Sequence, residues 1–200
     1  RPNLSTQKQT MTVEYSYDLN GRLTGTVGRG TFSSDDGFGN TSSGVITQIQ
    51  VYAMINGQPK LIISSTITDT TNSDGSTQSQ TMTVHYQYDS EGHLTGGRGE
   101  GSFAGYDPTT KNSTSGTISQ VFTAVNGDLK LVSNTTSSVS SGVDGSVGSQ
   151  NMTVNYSYDS AGRLTGASGS GTSLSNDGFD NITSSTIQQD FAIFQGEAKL

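Results

Sequence analysis

The chain writes one unit three times. MTVEYSYD at 11–18 returns as MTVHYQYD at 82–89 and MTVNYSYD at 152–159, after steps of 71 and 70 residues. The match continues through GRLTG at 21–25, GHLTG at 92–96 and GRLTG at 162–166. Later in each unit INGQPKL at 55–61 aligns with VNGDLKL at 125–131 and FQGEAKL at 194–200. A chain with a fixed period folds as equal units, each of which buries its apolar side only by meeting its neighbours. The units are therefore read as 7–77, 78–147 and an incomplete 148–200. The third copy stops about two thirds of the way through the pattern, which suggests either a segment of a longer array or a sheet whose last strand pairs with its first.

Within a unit the signal is that of β-hairpins. Residues 10–18 alternate Met11, Val13, Tyr15 and Tyr17 with polar side chains, the period of a strand with one covered face. Leu19-Asn20-Gly21 reads as a three-residue turn with glycine in the left-handed position. That turn sets Asp18 against Arg22 as an ion pair, Tyr17 against Leu23, Tyr15 against Gly25 and Val13 against Val27. The same register lays Tyr86 over Gly96 and Tyr156 over Gly166, where a ring covers exposed backbone. Two more strands, 45–55 and 60–68, flank the two-residue turn Asn56-Gly57. The Ser/Thr-rich stretches 69–77 and 133–148 read as loops or frayed strand ends. The expected fold is all-β: antiparallel hairpin repeats of about 11 strands, a meander that closes as a barrel or extends as an array.

Composition limits how such a sheet can be covered. Ser and Thr number 59, whereas Leu, Ile, Val and Phe together number 39 of 200, so the core must be thin. Without cysteine there is no disulfide framework, thiolate metal site or cysteine nucleophile. A net charge of -7 argues against a phosphate-binding face, so nucleic acid is not an expected partner. No apolar run approaches the roughly 18 residues of a membrane helix.

Few residues suit chemistry. The two histidines, His85 and His93, are replaced by Glu14 and Asn155 and by Arg22 and Arg163 in the other copies, so neither belongs to a repeated site. No nucleophile elbow, zinc helix or phosphate loop is present, and no catalytic residue is assigned. Asp35 and Asp36 in the first copy, with Asp177 and Asp180 in the third, form acidic glycine-containing loops in which calcium is the one conceivable cofactor. Against it stands the reading as solvated turns, in which the carboxylates bond their own backbone. Tyr15, Tyr86 and Tyr156 are the candidate ligand-stacking residues if the sheet holds a glycan.

The string Tyr15-x-Tyr17-Asp18-x-x-Gly21-Arg22-Leu23-Thr24, with its counterparts from Tyr86 and Tyr156, resembles the YD motif of RHS/YD-repeat proteins, large secreted or cell-surface proteins of bacteria. In that family such motifs form β-hairpins that coil into a shell and carry no chemistry of their own. The resemblance covers about 10 residues of each unit. It implies an extracellular or cell-surface bacterial location and a non-enzymatic structural or adhesive role. Neighbouring repeats are then the principal partners, with surface glycans or proteins as further ones. A carbohydrate-binding module and an outer-membrane β-barrel are the rival readings, though Gly25, Arg29, Ser168 and Ser170 on candidate outward faces count against membrane insertion.

Overall fold

The computed structural model describes residues 5–37, 40–194 and 196–199. Twelve strands follow one another in a single antiparallel sheet whose spatial order is the chain order. The first unit supplies β1 (Thr6–Tyr17), β2 (Leu23–Asp35), β3 (Thr41–Ile55) and β4 (Gln58–Asn72). The second supplies β5 (Thr77–Tyr88), β6 (Leu94–Asp107), β7 (Asn112–Val125) and β8 (Asp128–Ser141). The third supplies β9 (Val147–Tyr158), β10 (Leu164–Asn176), β11 (Ile182–Phe194) and the short β12 (Glu197–Lys199). The sheet is open: β1 pairs with β2 alone, and β12 pairs with Ala192–Phe194 of β11. Closure of the last strand on the first, one of the two expected outcomes, does not occur.

The turns follow the local sequence. Gly21 sits at φ 76°, with its N–H donating to Asp18 O (3.0 Å) and the Asp18 N–H to Arg22 O (2.9 Å), the three-residue loop expected there. Asn56 (φ 48°) and Gly57 (φ 75°) form the two-residue turn between β3 and β4, and Asn126 (φ 54°) with Gly127 (φ 84°) repeats it. At the turns that correspond to Asp18–Arg22 in the other units, Arg163 Nε meets Asp159 Oδ2 at 2.7 Å and His93 Nδ1 meets Asp89 Oδ2 at 3.2 Å. At the first turn it is the Arg22 backbone N–H that donates to Asp18 Oδ1 (2.9 Å).

The twelve strands agree with the expected all-β meander of about eleven. Two expectations are corrected. The strands run further into the Ser/Thr-rich sequence: β4 reaches Asn72 and β8 reaches Ser141, leaving only residues 73–76 and 142–146 as turns. β-Branched Thr and small Ser suit a pleated ladder whose neighbours supply the hydrogen bonds, so low hydrophobicity did not end these strands. The register also slips by one beyond the first turn. Tyr17 faces Leu23 as expected, but Ser16 then faces Gly25, Tyr15 faces Thr26 and Val13 faces Gly28. Thr24 is the extra residue, a bulge whose hydroxyl donates to Ser16 O (3.1 Å). The same shift puts Tyr86 opposite Gly97 and Tyr156 opposite Ala167.

Among the described residues no second layer covers the sheet. Contacts between elements are confined almost wholly to adjacent strands, and among the described residues no hydrophobic side chain is fully buried. The accessible surface is 12617 Å², whereas a compact monomer of 20.9 kDa exposes roughly 9000 Å². Cohesion therefore comes from ladders and cross-strand side-chain pairs rather than from a central core.

Candidate functional site

Two faces and two rims result from the strand pattern. The first face carries Met11, Val13 and Tyr15, and across the second and third units it carries the row Met82, Gly101, Ile118, Thr136, Met152, Gly171 and Ile187. Here the residues that lie over glycine are methionines and phenylalanines. A Cβ on Gly101 would come within 2.8 Å of Met82 Sδ, one on Gly171 within 2.9 Å of Met152 Sδ, and one on Gly44 within 2.7 Å of the Phe32 ring. The closest side-chain atoms above Gly97 are the methyls of Leu129. Met rather than Tyr thus covers the glycines of this face: the bulge sets Tyr156 opposite Ala167, and although it sets Tyr86 opposite Gly97, the nearest side chain there is Leu129.

Tyr15, Tyr86 and Tyr156 share this face, but they stand on β1, β5 and β9, four strand positions apart, so they form a repeated stripe rather than one groove. Tyr15 is 60% exposed, and Tyr86 and Tyr156 are half-buried. The tyrosine of the motif that makes a specific contact is the other one. Tyr88 OH donates to Leu61 O and Tyr158 OH to Leu131 O, each at 2.9 Å and each across a boundary between units. Burial pushes both hydroxyls above the usual tyrosine range, with the neighbouring Tyr86 and Tyr156 adding to it. Sequence reasoning singled out the first tyrosine of Tyr-x-Tyr-Asp for its position on the apolar face; the repeated Asp after the second, fixing the turn beside it, was the available signal.

The boundaries carry further repeated contacts. Ser65 Oγ lies 2.8 Å from Thr83 Oγ1, and Thr135 Oγ1 lies 2.8 Å from Thr153 Oγ1. At the upper rim Asn56 Nδ2 donates to Ser90 O (3.2 Å) and Asn126 Nδ2 to Ser160 O (3.0 Å), so each Asn-Gly turn rests on the next unit's first turn. The sequence shows these residues to be repeated, but the pairing across units appears only in the sheet.

On the second face a trough of about 1190 Å³ crosses β5 to β11. Thr81, Thr117, Asn151 and Thr172 line it with hydroxyl and amide groups, and Val139 and Leu174 add apolar floor. It lies on the face opposite the three candidate tyrosines. Asn151 Nδ2 donates to Ser137 Oγ (2.9 Å) within it, and hydroxyls on successive strands recur at about 4.8 Å, the strand spacing.

The acidic loops lie at the lower rim. Asp35 at the end of β2 and Asp36 in the β2–β3 loop are eight strand positions from Asp177 and Asp180 in the β10–β11 loop, so the structure does not bring them together. Asp35 Oδ1 accepts the Gly37 N–H (2.7 Å), and Asp36 Oδ2 accepts Asn40 Nδ2 (2.6 Å). Asp177 repeats this with Asn181 Nδ2 (2.7 Å), a bond that holds its carboxyl below the usual carboxylate range. Asp180 takes φ 66°. Neighbouring loops do approach: a Cβ on Gly178 would lie 2.6 Å from Asp144 O, and the charges of Asp177 and Asp107 work against the lowering of the Asp144 and Asp74 carboxyls. Among the described residues no group of three or more His, Asp or Glu is placed to hold a metal ion.

His85 lies on the second face opposite Arg98 and Ile63, and His93 belongs to the first turn of its unit. No protein-family model matches the chain, and no curated protein matches it.

Proposed function

We propose that this chain is a non-enzymatic structural or adhesive β-repeat region of a larger exported bacterial surface protein. One observation carries the reading: besides the turn contacts that recur inside each unit, a set of three side-chain contacts recurs at the joints between units. Tyr hydroxyl to carbonyl, hydroxyl to hydroxyl and Asn amide to turn carbonyl are each made at both boundaries. A scaffold needs such joints; a repeated enzyme would need a repeated set of acid, base or nucleophile. The Ser/Thr-rich composition and the likeness to the YD motif support a place outside the cell. Labelling of intact source cells with an antibody to the chain, before and after external protease, tests this. Surface signal removed by protease agrees with it, and signal seen only after lysis contradicts it.

The trough favours one second reading, a glycan-binding module. Polar rows flanked by Val139 and Leu174 offer hydroxyl contacts to a polysaccharide laid across the strands. A glycan array would show binding that Asn151→Ala and Thr117→Val reduce, while Tyr86→Ala leaves it unchanged.

A further inference from the structure

The outer edge of β1 is an unfilled copy of a joint that the chain makes twice. β5 and β9, which repeat the β1 sequence, each hold the fourth strand of the unit before them. Four features do the holding, and each has its counterpart on β1. Thr83 and Thr153 bond hydroxyls of β4 and β8; Thr12 occupies that position and is exposed. Tyr88 and Tyr158 donate to Leu61 O and Leu131 O; Tyr17 occupies that position and is 60% exposed. Ser90 O and Ser160 O accept from the Asn-Gly turns; Leu19 is their counterpart and is fully exposed. A Cβ on Gly92 would lie 3.4 Å from Ile55 and one on Gly162 would lie 3.1 Å from Lys130, whereas one on Gly21 would meet nothing within 4 Å.

We propose that the β1 edge is an acceptor for the fourth strand of another unit of this same kind, entering antiparallel with its Asn-Gly turn over Leu19. The occupant is fixed by the side-chain code as well as by the open backbone ladder. A strand reading Asn-Gly-x-x-Lys-Leu, followed by alternating small hydroxyl residues, presents a carbonyl to Tyr17 and a hydroxyl to Thr12. This rests on the scaffold reading. Cell-surface labelling and occupation of this edge are separate readouts, so either can fail alone.

A synthetic peptide of residues 126–141 is the probe, added at millimolar concentration to the 200-residue chain while hydrogen exchange is followed. Slowing of exchange by several-fold in residues 6–17, absent with a scrambled peptide and reduced by Tyr17→Phe, is expected. The exposed Tyr17 hydroxyl has no folding role within the chain, so Tyr17→Phe folds normally and isolates the joint. Unchanged exchange in residues 6–17 overturns the proposal, as does protection confined to β11 or equal protection by the scrambled peptide.

Discussion

β1 and its repeats β5 and β9 carry nearly the same eight residues and stand in different surroundings. Thr83, Val84, Tyr86 and Tyr88 are half-buried, as are Thr153, Val154, Tyr156 and Tyr158, whereas Thr12, Val13, Tyr15 and Tyr17 are exposed. These four residues are identical in the three copies, so the difference comes from β4 and β8, which lie beside β5 and β9 and have no counterpart beside β1 among the described residues. Burial in this molecule is a property of the joint between units. A residue's contribution to stability should accordingly depend on which copy it occupies.

The largest contrast is expected at the glycines under methionine. A methyl group on Gly171 would press on the Asn151 carbonyl and on Met152, on a strand clamped from its other side by β8. Gly171→Ala should cost about 2 kcal/mol, in the range of overpacking. Gly30→Ala meets the Thr10 carbonyl and the Cα and Cβ of Met11, but β1 is free to shift outward and should cost less than half as much. Equal losses in urea denaturation would break the comparison.

Next comes Met152→Ala, which removes the side chain lying over Gly169 and Gly171. A half-buried methionine should give up about 1.5 kcal/mol; Met11 is half-buried too, but it stands on an edge strand that can move to refill the gap, so Met11→Ala should cost less. Tyr158→Phe and Tyr88→Phe each delete one hydrogen bond to a carbonyl of the preceding unit and should cost about 1 kcal/mol, with Tyr17→Phe near zero. A loss at Tyr17 matching that at Tyr158 would show that the joint is not the source.

The smallest effect concerns pH. Hydrogen bonds from their own turns lower the carboxyl pKa of Asp74, Asp107, Asp144 and Asp177, chiefly from Ser76, Thr110, Ser146 and Asn181. A carboxyl lowered in the folded state contributes stability that is present above its ordinary value of about 4 and is lost as pH falls below it. The melting temperature should therefore decline below about pH 4, and Asp144→Asn should flatten part of that decline.

The repeat, the alternation of β1 and the turn glycines were legible because each is a local pattern with one structural solution. Asn56-Gly57 fixes a two-residue turn by its backbone conformation, whatever surrounds it. The bulge at Thr24 was not legible: one extra residue beside the turn shifts the whole register, and Thr is an ordinary strand residue. The strand lengths of β4 and β8 were hidden by a composition that resembles a loop. The joints were hidden because Tyr88 finds its acceptor in Leu61, twenty-seven residues earlier, through a pairing that only the assembled sheet creates.

Small-angle scattering of the chain in detergent-free buffer tests the open single-layer sheet most directly. Twelve strands at about 4.8 Å spacing and about 13 residues long make a plate of roughly 53 by 44 Å, with a radius of gyration near 20 Å. A value of about 20 Å is the expected result. A value of roughly 16–17 Å, that of a compact 200-residue globule, would contradict it.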